Sequence, residues 1–201
     1  SNGIELYNAN KKIGYMAGKV YDMKNSTSFQ YAGGRVVNNY SSMPSRGANE
    51  IDVGQYEVVE DFDFMDDVCS LVSVSMIKDI GPYDEDFFFD YEETEWNYRM
   101  KKKGYRITYN PKMQLWHRKH GSTGGIRLSP FTEFYTWRGK VLFLFKTQKA
   151  NDFFNSMLKL FLLLLPIRFV LLAIKHNTPW LFLSTCKGVI SSFKRVIEIK
   201  G

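Results

Sequence analysis

The strongest constraint on the fold is an apolar stretch near the C-terminus. Residues 153–175 are mostly Phe, Leu, Ile and Val, which is close to the roughly 20 apolar residues that a membrane-spanning helix needs. Lys159, Pro166 and Arg168 interrupt the stretch, and a charged side chain costs roughly 3 kcal/mol near the centre of a bilayer. We therefore predict two helices that meet at Pro166 and lie in the membrane interface, with Lys159, Arg168 and Lys175 reaching the lipid headgroups.

The distribution of charge supports this prediction. Residues 138–201 contain 11 Lys and Arg against only Asp152 and Glu198, a net charge of +9, whereas residues 1–137 have a net charge of −3. A second apolar stretch, residues 180–193, also ends in basic residues. A basic and apolar tail favours an anionic lipid surface over nucleic acid. We predict peripheral attachment to the cytoplasmic face of a membrane and no nucleic-acid partner; soluble packing and a true membrane span remain alternatives.

Chain length and cysteine content limit the size of the core and the cellular compartment of the protein. The 201 residues can bury one core, or one core with an appendage. Cys69 and Cys186 are far apart and form neither a disulfide framework nor a zinc-ligand pattern, which fits a reducing compartment. The chain starts at Ser1 without a basic and apolar leader, so we expect a fragment of a longer protein.

Strand and helix signals alternate before the tail, which predicts an α/β fold. A strand is predicted over residues 12–21, a strand running into a helix over 68–77, and loops at 33–34 and 41–47. The clearest helix covers residues 92–103; it begins with acidic residues, ends in three lysines before Gly104, and can pair Glu95 with Arg99. Residues 105–109 and 113–117 are predicted as two short strands separated by a turn at residues 110–111.

The candidate chemistry is concentrated in one acidic segment. Seven carboxylates lie between Asp84 and Glu95, and Glu92 and Glu93 fall where an aromatic strand is predicted to give way to the helix. The helix dipole would keep such carboxylates ionised, whereas neighbouring carboxylates in a cleft would raise the pKa towards that of a general base. Composition alone favours ionised carboxylates at a solvated helix start, and a general base in a cleft remains the alternative.

Several segments in this order resemble inverting family-2 glycosyltransferases of the rhamnosyltransferase type. The resemblance covers roughly residues 12–147. It rests on residues 13–21 (IGYMAGKVY), 30–34 (QYAGG), 81–88 (GPYDEDFF), 91–99 (YEETEWNYR), 103–111 (KGYRITYNP), 115–117 (LWH) and 129–135 (SPFTEFY), followed by Arg138.

The resemblance implies an incomplete GT-A fold with two regions. Residues 1–147 would form the acceptor and catalytic half of the transferase domain, and residues 148–201 a basic, amphipathic helical tail that associates with the membrane. The acidic pair of the family, usually Glu-Asp, falls on Glu92 and Glu93, which makes Glu93 the general base. His117 falls on the histidine that helps to bind Mn²⁺ or Mg²⁺; a structural histidine at the end of a strand is the alternative. His120 is a weaker metal candidate.

Four further residues are predicted to bind substrate. Tyr91 and Trp96 are aromatic planes near the base, and either could stack on the acceptor sugar or belong to the core. Asp86 lies in the acidic segment. Arg138 stands where the family has Arg-Asn and could meet a phosphate group, although Gly139 replaces the Asn.

The sequence departs from the family at two further places. The Asp-x-Asp motif that binds metal and diphosphate does not precede the matching segments. Asp61 and Asp63 have its spacing but are predicted to lie in an acidic loop. Asp67 stands where the family has glycine. The chain is therefore predicted not to turn over alone.

The resemblance implies a fragment of a metal-dependent transferase. It would move a sugar from a nucleotide-sugar donor, with dTDP-rhamnose ahead of a UDP-sugar, to a cell-surface polysaccharide or lipid-linked glycan acceptor. A non-catalytic, membrane-associated assembly subunit with a degenerate transferase fold is the alternative. A metal-dependent hydrolase is less favoured, because no His and Glu ligand set with helical spacing accompanies the carboxylates.

Overall fold

A computed structural model describes residues 2–34, 46–118 and 128–200. The chain divides into two compact units. The sheet unit comprises Ser1–Asp84 and Glu93–Gly125, and the helical unit comprises Glu85–Glu92 and Ile126–Gly201. The predicted α/β class is confirmed as a mixed sheet with C-terminal helices. The predicted boundary after residue 147 stays a prediction. His120 and most of the predicted loop at 41–47 lie outside the described residues.

The sheet unit is organised around two long parallel strands. Strand β1 (Ile13–Asp22) pairs in parallel with β5 (Arg106–His117), and β3 (Glu60–Phe62) adds to β5 in the antiparallel direction. Two short strands, β2 (Phe29–Tyr31) and β4 (Ser70–Val72), pair antiparallel with β1. Three helices complete the unit: α1 (Asn2–Ala9), α2 (Val74–Ile80) and all but the first residue of α3 (Glu92–Lys102). The predicted strand-to-helix segment at 68–77 corresponds to β4 and α2.

Strand β5 corrects the prediction of two short strands separated by a turn. It runs unbroken through Asn110 and Pro111, and its pairing with β1 passes from Ala17 opposite Tyr109 to Lys19 opposite Gln114. The extra residues of β5 therefore form a bulge opposite Gly18. Pro111 cannot donate to a strand ladder, and a bulge is where a sheet tolerates such a residue. A Cβ on Gly18 would lie 2.2 Å from the carbonyl oxygen of Met113, so this close approach requires glycine.

The main hydrophobic cluster of the sheet unit lies on one face of β1. Tyr15, Ala17 and Tyr21 belong to it, but β1 is buried on both faces, because the residues between them are buried as well. Trp96 and Met100, one turn apart on α3, pack into the same core. The core thereby fixes the orientation of the helix that carries the predicted base.

Helix α3 agrees closely with its prediction. It ends at Lys102, and Gly104 has a φ of 85°, which favours glycine at the C-terminal end of a helix. The expected pair is present: Nε of Arg99 lies 2.7 Å from Oε1 of Glu95. Arg99 also donates to the carbonyl oxygens of Ile80 and Pro82. Arg99 therefore anchors the loop that follows α2.

The helical unit begins with a well-capped helix. Helix α4 (Pro130–Thr147) has Ser129 as its N-cap, and Ser129 and Thr132 form a reciprocal capping box. It packs against the last helix, α7 (Leu181–Lys200). A Cβ on Gly188 would lie 2.2 Å from the carbonyl oxygen of Phe134, so glycine permits this close helix contact.

Pro166 does not separate two helices, contrary to the prediction. Residues Ala150–Lys175 form one 26-residue helix, here called the apolar helix. It consists of α5 (Ala150–Lys159), a π-helical turn (Leu160–Leu164), α6 (Leu165–Val170) and a second π-helical turn (Leu171–Lys175). The N–H of Leu165 bonds to the carbonyl oxygen of Leu160, five residues back. This wider turn accommodates Pro166, which lacks an N–H and crowds the preceding turn of an α-helix.

Arg168 of the apolar helix pairs with the protein rather than reaching outward to headgroups as predicted. Its guanidinium group binds the carboxylate of Glu133 on α4, with Nε at 3.1 Å from Oε2. Oγ1 of Thr185 on α7 donates to the same oxygen at 2.8 Å. Glu133 is buried, and a buried carboxylate requires such partners. These contacts join three helices.

Candidate active site

The segment before α3 has an unusual backbone. Residues 87–89, predicted to be an aromatic strand, are not in a strand, and residues 88 and 89 form bends. The next two residues, Asp90 and Tyr91, have φ values of 63° and 71°. Positive φ is uncommon for residues other than glycine, and such strain persists only where surrounding contacts impose it. Two consecutive residues of this kind stand directly before Glu92 and Glu93.

Helix α4 supplies contacts that hold this turn. The hydroxyl group of Thr136 donates to the carboxylate of Asp90. The ring of Tyr91 lies 5.8 Å from that of Phe143, centroid to centroid. A Cβ on Gly139 would stand 3.0 Å from the carbonyl oxygen of Asp90 and 3.0 Å from Cδ2 of Tyr91. The glycine that departs from the Arg-Asn pattern therefore lets α4 approach the strained turn.

Glu92 and Glu93 are the first two residues of α3, as predicted, and both side chains are half-buried. The backbone oxygen of Glu93 accepts a hydrogen bond from Nδ2 of Asn97. Carboxylates at a helix N-terminus are stabilised by the helix dipole. Their catalytic roles stay predictions.

Asp86 is bound by two cations of the helical unit. Nζ of Lys146 and Nε of Arg195 contact its two carboxylate oxygens, the latter at 2.6 Å. Burial opposes ionisation of Asp86, but the hydrogen bonds from Lys146 and Arg195 outweigh it and lower the pKa of this carboxyl group. Arg138 donates to the backbone oxygen of Asp86. The predicted substrate-binding residues Asp86 and Arg138 thus contact each other, and their binding of substrate stays a prediction.

Trp96 is a core residue in this structure. Its side chain is 5% exposed, and Nε1 donates to the carbonyl oxygen of Gly81 at 2.9 Å. The ring packs edge-on against Tyr15 and lies 4.6 Å from that of Tyr83. Of the two readings open from the sequence, the packing favours the core. The partly exposed Tyr83, which donates to Asp67 at 2.9 Å, presents the more accessible ring.

His117, at the end of β5, is oriented by the side-chain amide of Gln30. Nε2 of Gln30 donates to the backbone oxygen of His117 at 2.6 Å, so Oε1 is the atom that faces Nδ1, at 2.8 Å. A carbonyl oxygen can only accept a hydrogen bond, so Nδ1 carries the proton of a neutral ring and Nε2 keeps its lone pair. A metal-binding histidine is commonly oriented in this way.

Lys19, in the middle of β1, is a functional candidate that was not predicted from the sequence. This lysine is buried; its Nζ is 3.0 Å from Oδ2 of Asp52 and also binds Glu57. Tyr21 donates to the same oxygen of Asp52, and burial together with this carboxylate raises the pKa of Tyr21 to about 12. A lysine within an apolar strand is the signal that could have revealed this network.

Trp116 is a second residue for which the sequence predicted no role. Its ring stacks on Tyr21 at 5.2 Å with an interplanar angle of 17°, and 46% of the residue is exposed. It stands beside His117, where the parallel strands β1 and β5 end. Ligands in α/β proteins are commonly bound at the carboxyl ends of parallel strands. An exposed indole at this position can stack on an apolar or aromatic ligand face.

Asp61 and Asp63 bind side chains of the sheet unit. Asp61 lies in β3, not in a loop as predicted, and accepts from Arg106 and Thr108. Asp63 pairs with Lys101. Among residues 2–34, 46–118 and 128–200, no group of three or more His, Cys, Asp or Glu side chains could hold a metal ion.

No protein-family model matches the sequence, and no curated protein matches it.

Proposed function

We propose that this chain is the acceptor-side part of an inverting, metal-dependent family-2 glycosyltransferase with a GT-A fold. The donor would be a nucleotide sugar, dTDP-rhamnose ahead of a UDP-sugar, and the acceptor a cell-surface polysaccharide or lipid-linked glycan. The observation that carries the proposal is the strained turn at Asp90 and Tyr91 directly before Glu92 and Glu93. Residues held in unfavourable conformations cluster at active sites, where surrounding contacts keep reactive groups in place.

In the proposed reaction Glu93 acts as general base. Its carboxylate takes the proton of the acceptor hydroxyl group as that oxygen forms a bond to the anomeric carbon of the donor sugar. The bond between this carbon and the diphosphate oxygen breaks, the nucleoside diphosphate leaves, and the anomeric configuration inverts. Glu92 and the turn before it would position the base.

His117 supports the metal-dependent part of the proposal in one respect. Its Nε2 can supply one ligand, because Gln30 keeps the proton on Nδ1. A bound Mn²⁺ or Mg²⁺ would neutralise charge on the leaving diphosphate. The described residues do not complete such a site, so no step is assigned to a metal held by this chain alone.

The apolar helix supports peripheral attachment at the cytoplasmic face of a membrane. It is long and apolar enough to cross a bilayer, and only 22% of its most apolar 18-residue stretch is buried within the protein. A core helix of a soluble protein would be mostly buried. Exposed apolar side chains along it, together with the basic tail, favour a helix lying in the membrane interface.

Replacement of the base tests the transferase proposal. In the complete gene product, Glu93→Gln should lower sugar transfer from labelled dTDP-rhamnose or UDP-sugars to a membrane extract by about 10²–10⁴-fold. Glu85→Gln is the matched control, because it replaces the same side chain by the same amide at an exposed position. Circular dichroism should show that both variants fold. Full transfer by Glu93→Gln would refute the assignment.

The second candidate is a non-catalytic assembly subunit on the membrane. Lys146 and Arg195 contact both carboxylate oxygens of Asp86, which favours this candidate, because these three side chains then stabilise the fold instead of binding substrate. A transferase should be stabilised by Mn²⁺ with a nucleoside diphosphate, by about 2.7 kcal/mol at a hundredfold excess over the dissociation constant. An unchanged melting temperature of the complete gene product would favour the subunit.

A further inference from the structure

The helical unit contains an apolar pocket with a volume of about 720 Å³. Its lining is a stripe along the first part of the apolar helix, with residues spaced by three and four, joined by the end of α4 and by one residue of α7. The lining residues are Phe145, Gln148, Ala150, Phe153, Phe154, Met157, Leu158, Phe161 and Phe193. The volume lies in the range of about 300–1,000 Å³ that ligand pockets occupy.

Two aromatic pairs contribute to the pocket walls. Phe145 of α4 meets Phe153 edge-on at 5.6 Å between ring centroids. Phe161 stacks on Phe193 of α7 at 6.2 Å. The pocket opens at the surface, because Phe154 and Leu158 are 63% and 44% exposed. An open cavity of this composition favours a hydrocarbon ligand over a polar one.

The charge of the C-terminal part of the chain indicates which kind of hydrocarbon ligand fits. Residues 138–201 carry a net charge of +9, and Lys149, Lys159 and Lys194 are exposed within them. Within the described part of the chain, no carboxylate pairs with any of the three. Asp152 and Glu198 are the acidic residues of this stretch, and Glu198 pairs with Arg195. The local excess of positive charge complements a phosphate headgroup.

We propose that this pocket takes one acyl chain of an anionic membrane phospholipid, whose phosphate is attracted by the basic side chains of the same unit, Lys149, Lys159 and Lys194 among them. The apolar helix thereby binds an individual lipid in addition to lying on the bilayer surface. The inference rests on the membrane attachment proposed above and does not depend on glycosyl transfer.

Native mass spectrometry of the chain in a mild non-ionic detergent, with added palmitoyl-oleoyl phosphatidylglycerol, tests the proposal. We expect one bound lipid per chain. Ala150→Trp, which places a large ring in the lining, should lower its occupancy at least about tenfold. Ile174→Trp is the matched control, because Ile174 is exposed on the same helix outside the lining; its occupancy should equal that of the unmodified protein. Equal occupancy in Ala150→Trp would overturn the proposal.

The headgroup is tested by replacing Lys149, Lys159 and Lys194 together by Gln. Each lysine should contribute about fivefold to the preference for phosphatidylglycerol over phosphatidylcholine, and an equal affinity of the unmodified chain for both lipids would overturn the proposal. A lipid-free dimer that Ala150→Trp dissociates would overturn it in favour of a protein contact. Flotation with phosphatidylglycerol vesicles distinguishes lipid binding in the pocket from membrane attachment. One bound lipid without flotation supports lipid binding in the pocket and refutes membrane attachment.

Discussion

Oε1 of Gln30 lies 2.8 Å from Nδ1 of His117, while Nε2 of the same amide donates to the backbone oxygen of His117 at 2.6 Å. The second bond fixes which end of the amide faces the ring. Gln30 is buried on β2, and His117 ends β5, so two strands on opposite sides of β1 determine one tautomer. This relationship leaves the lone pair of Nε2 available on a neutral ring.

The first prediction concerns this tautomer. Gln30→Ala should remove the acceptor for the Nδ1 proton, so a substantial fraction of neutral His117 should move its proton to Nε2, which is the favoured tautomer of a free imidazole side chain. Long-range ¹H–¹⁵N spectra of the imidazole ring report the proton position directly, and His117→Gln assigns the signal among the three histidines. Gln114→Ala, an exposed position on β5, is the control. An unchanged spectrum in Gln30→Ala would show that Gln30 does not orient the ring.

A second prediction follows from the lowered pKa of Asp86. The folded-state pKa lies below the unfolded value of about 3.9, so ionised Asp86 stabilises the fold above that value. This contribution is lost as the pH falls through the folded-state pKa. Asp86→Asn should therefore lower the free energy of unfolding at pH 7 by about 1–2 kcal/mol, because Lys146 and Arg195 lose their charged partner in a partly exposed cluster.

Urea unfolding at pH 7 and below pH 3 measures this effect. The difference between Asp86→Asn and the unmodified chain should shrink as the pH falls through the folded-state pKa of Asp86, because the carboxyl group then loses its charge. Glu85→Gln, one residue earlier and exposed, should leave the unfolding free energy nearly unchanged at both values. A deficit of Asp86→Asn that is the same at both pH values would mean that packing, and not charge, explains it.

A third prediction addresses the buried contact between Glu133 and Arg168. Glu133→Leu leaves the guanidinium group of Arg168 without its partner and should destabilise the helical unit by roughly 3–5 kcal/mol. The double variant Glu133→Leu with Arg168→Leu removes both charges and should recover most of that loss. Thermal unfolding of the four proteins of this cycle gives the coupling energy. Additive losses would show that the two side chains do not interact.

The two prolines explain where prediction from sequence failed in the fold. Local patterns were sufficient for α3, whose acidic start, basic end and terminal glycine act within one element. Pro111 and Pro166 were predicted to break their elements, because a proline removes a backbone donor. In the folded chain a bulge opposite Gly18 accommodates the first and a π-helical turn the second. Both adjustments depend on neighbouring backbone that a local pattern does not contain.

In the candidate site, too, some features could be predicted from the local sequence and others depend on distant residues. The positions of Glu92 and Glu93 at a helix start were predictable from the acidic start, the lysine-rich end and the terminal glycine of the helix. The partners of Asp86, on α4 and α7, are 60 and 109 residues away along the chain, so its ion pairs could not be inferred locally. Gly139 was interpreted from the sequence as a lost asparagine. Its packing against Asp90 and Tyr91 supplies a physical reason for the glycine.

The last prediction tests the bulge that places His117. A Cβ on Gly18 would stand 2.2 Å from the carbonyl oxygen of Met113, and backbone cannot move away as an exposed side chain can. Gly18→Ala should therefore force β1 and β5 apart and cost about 1–3 kcal/mol as an overpacked core substitution. Gly14→Ala lies on the same strand, but its Cβ would meet the side chains of Met76 and Tyr105 at 3.0 Å, so it should cost less.

Urea unfolding ranks the two variants, and amide spectra locate the change. In Gly18→Ala the shifted amides should extend along β5 to His117, whose carbonyl oxygen accepts from Met23 and Gln30 at the end of β1 and on β2. In Gly14→Ala they should stay near α2. Equal stability of the two variants, with His117 unperturbed in both, would mean that the bulge relaxes independently of the strand end. In that case the geometry of His117 would depend on Gln30 alone.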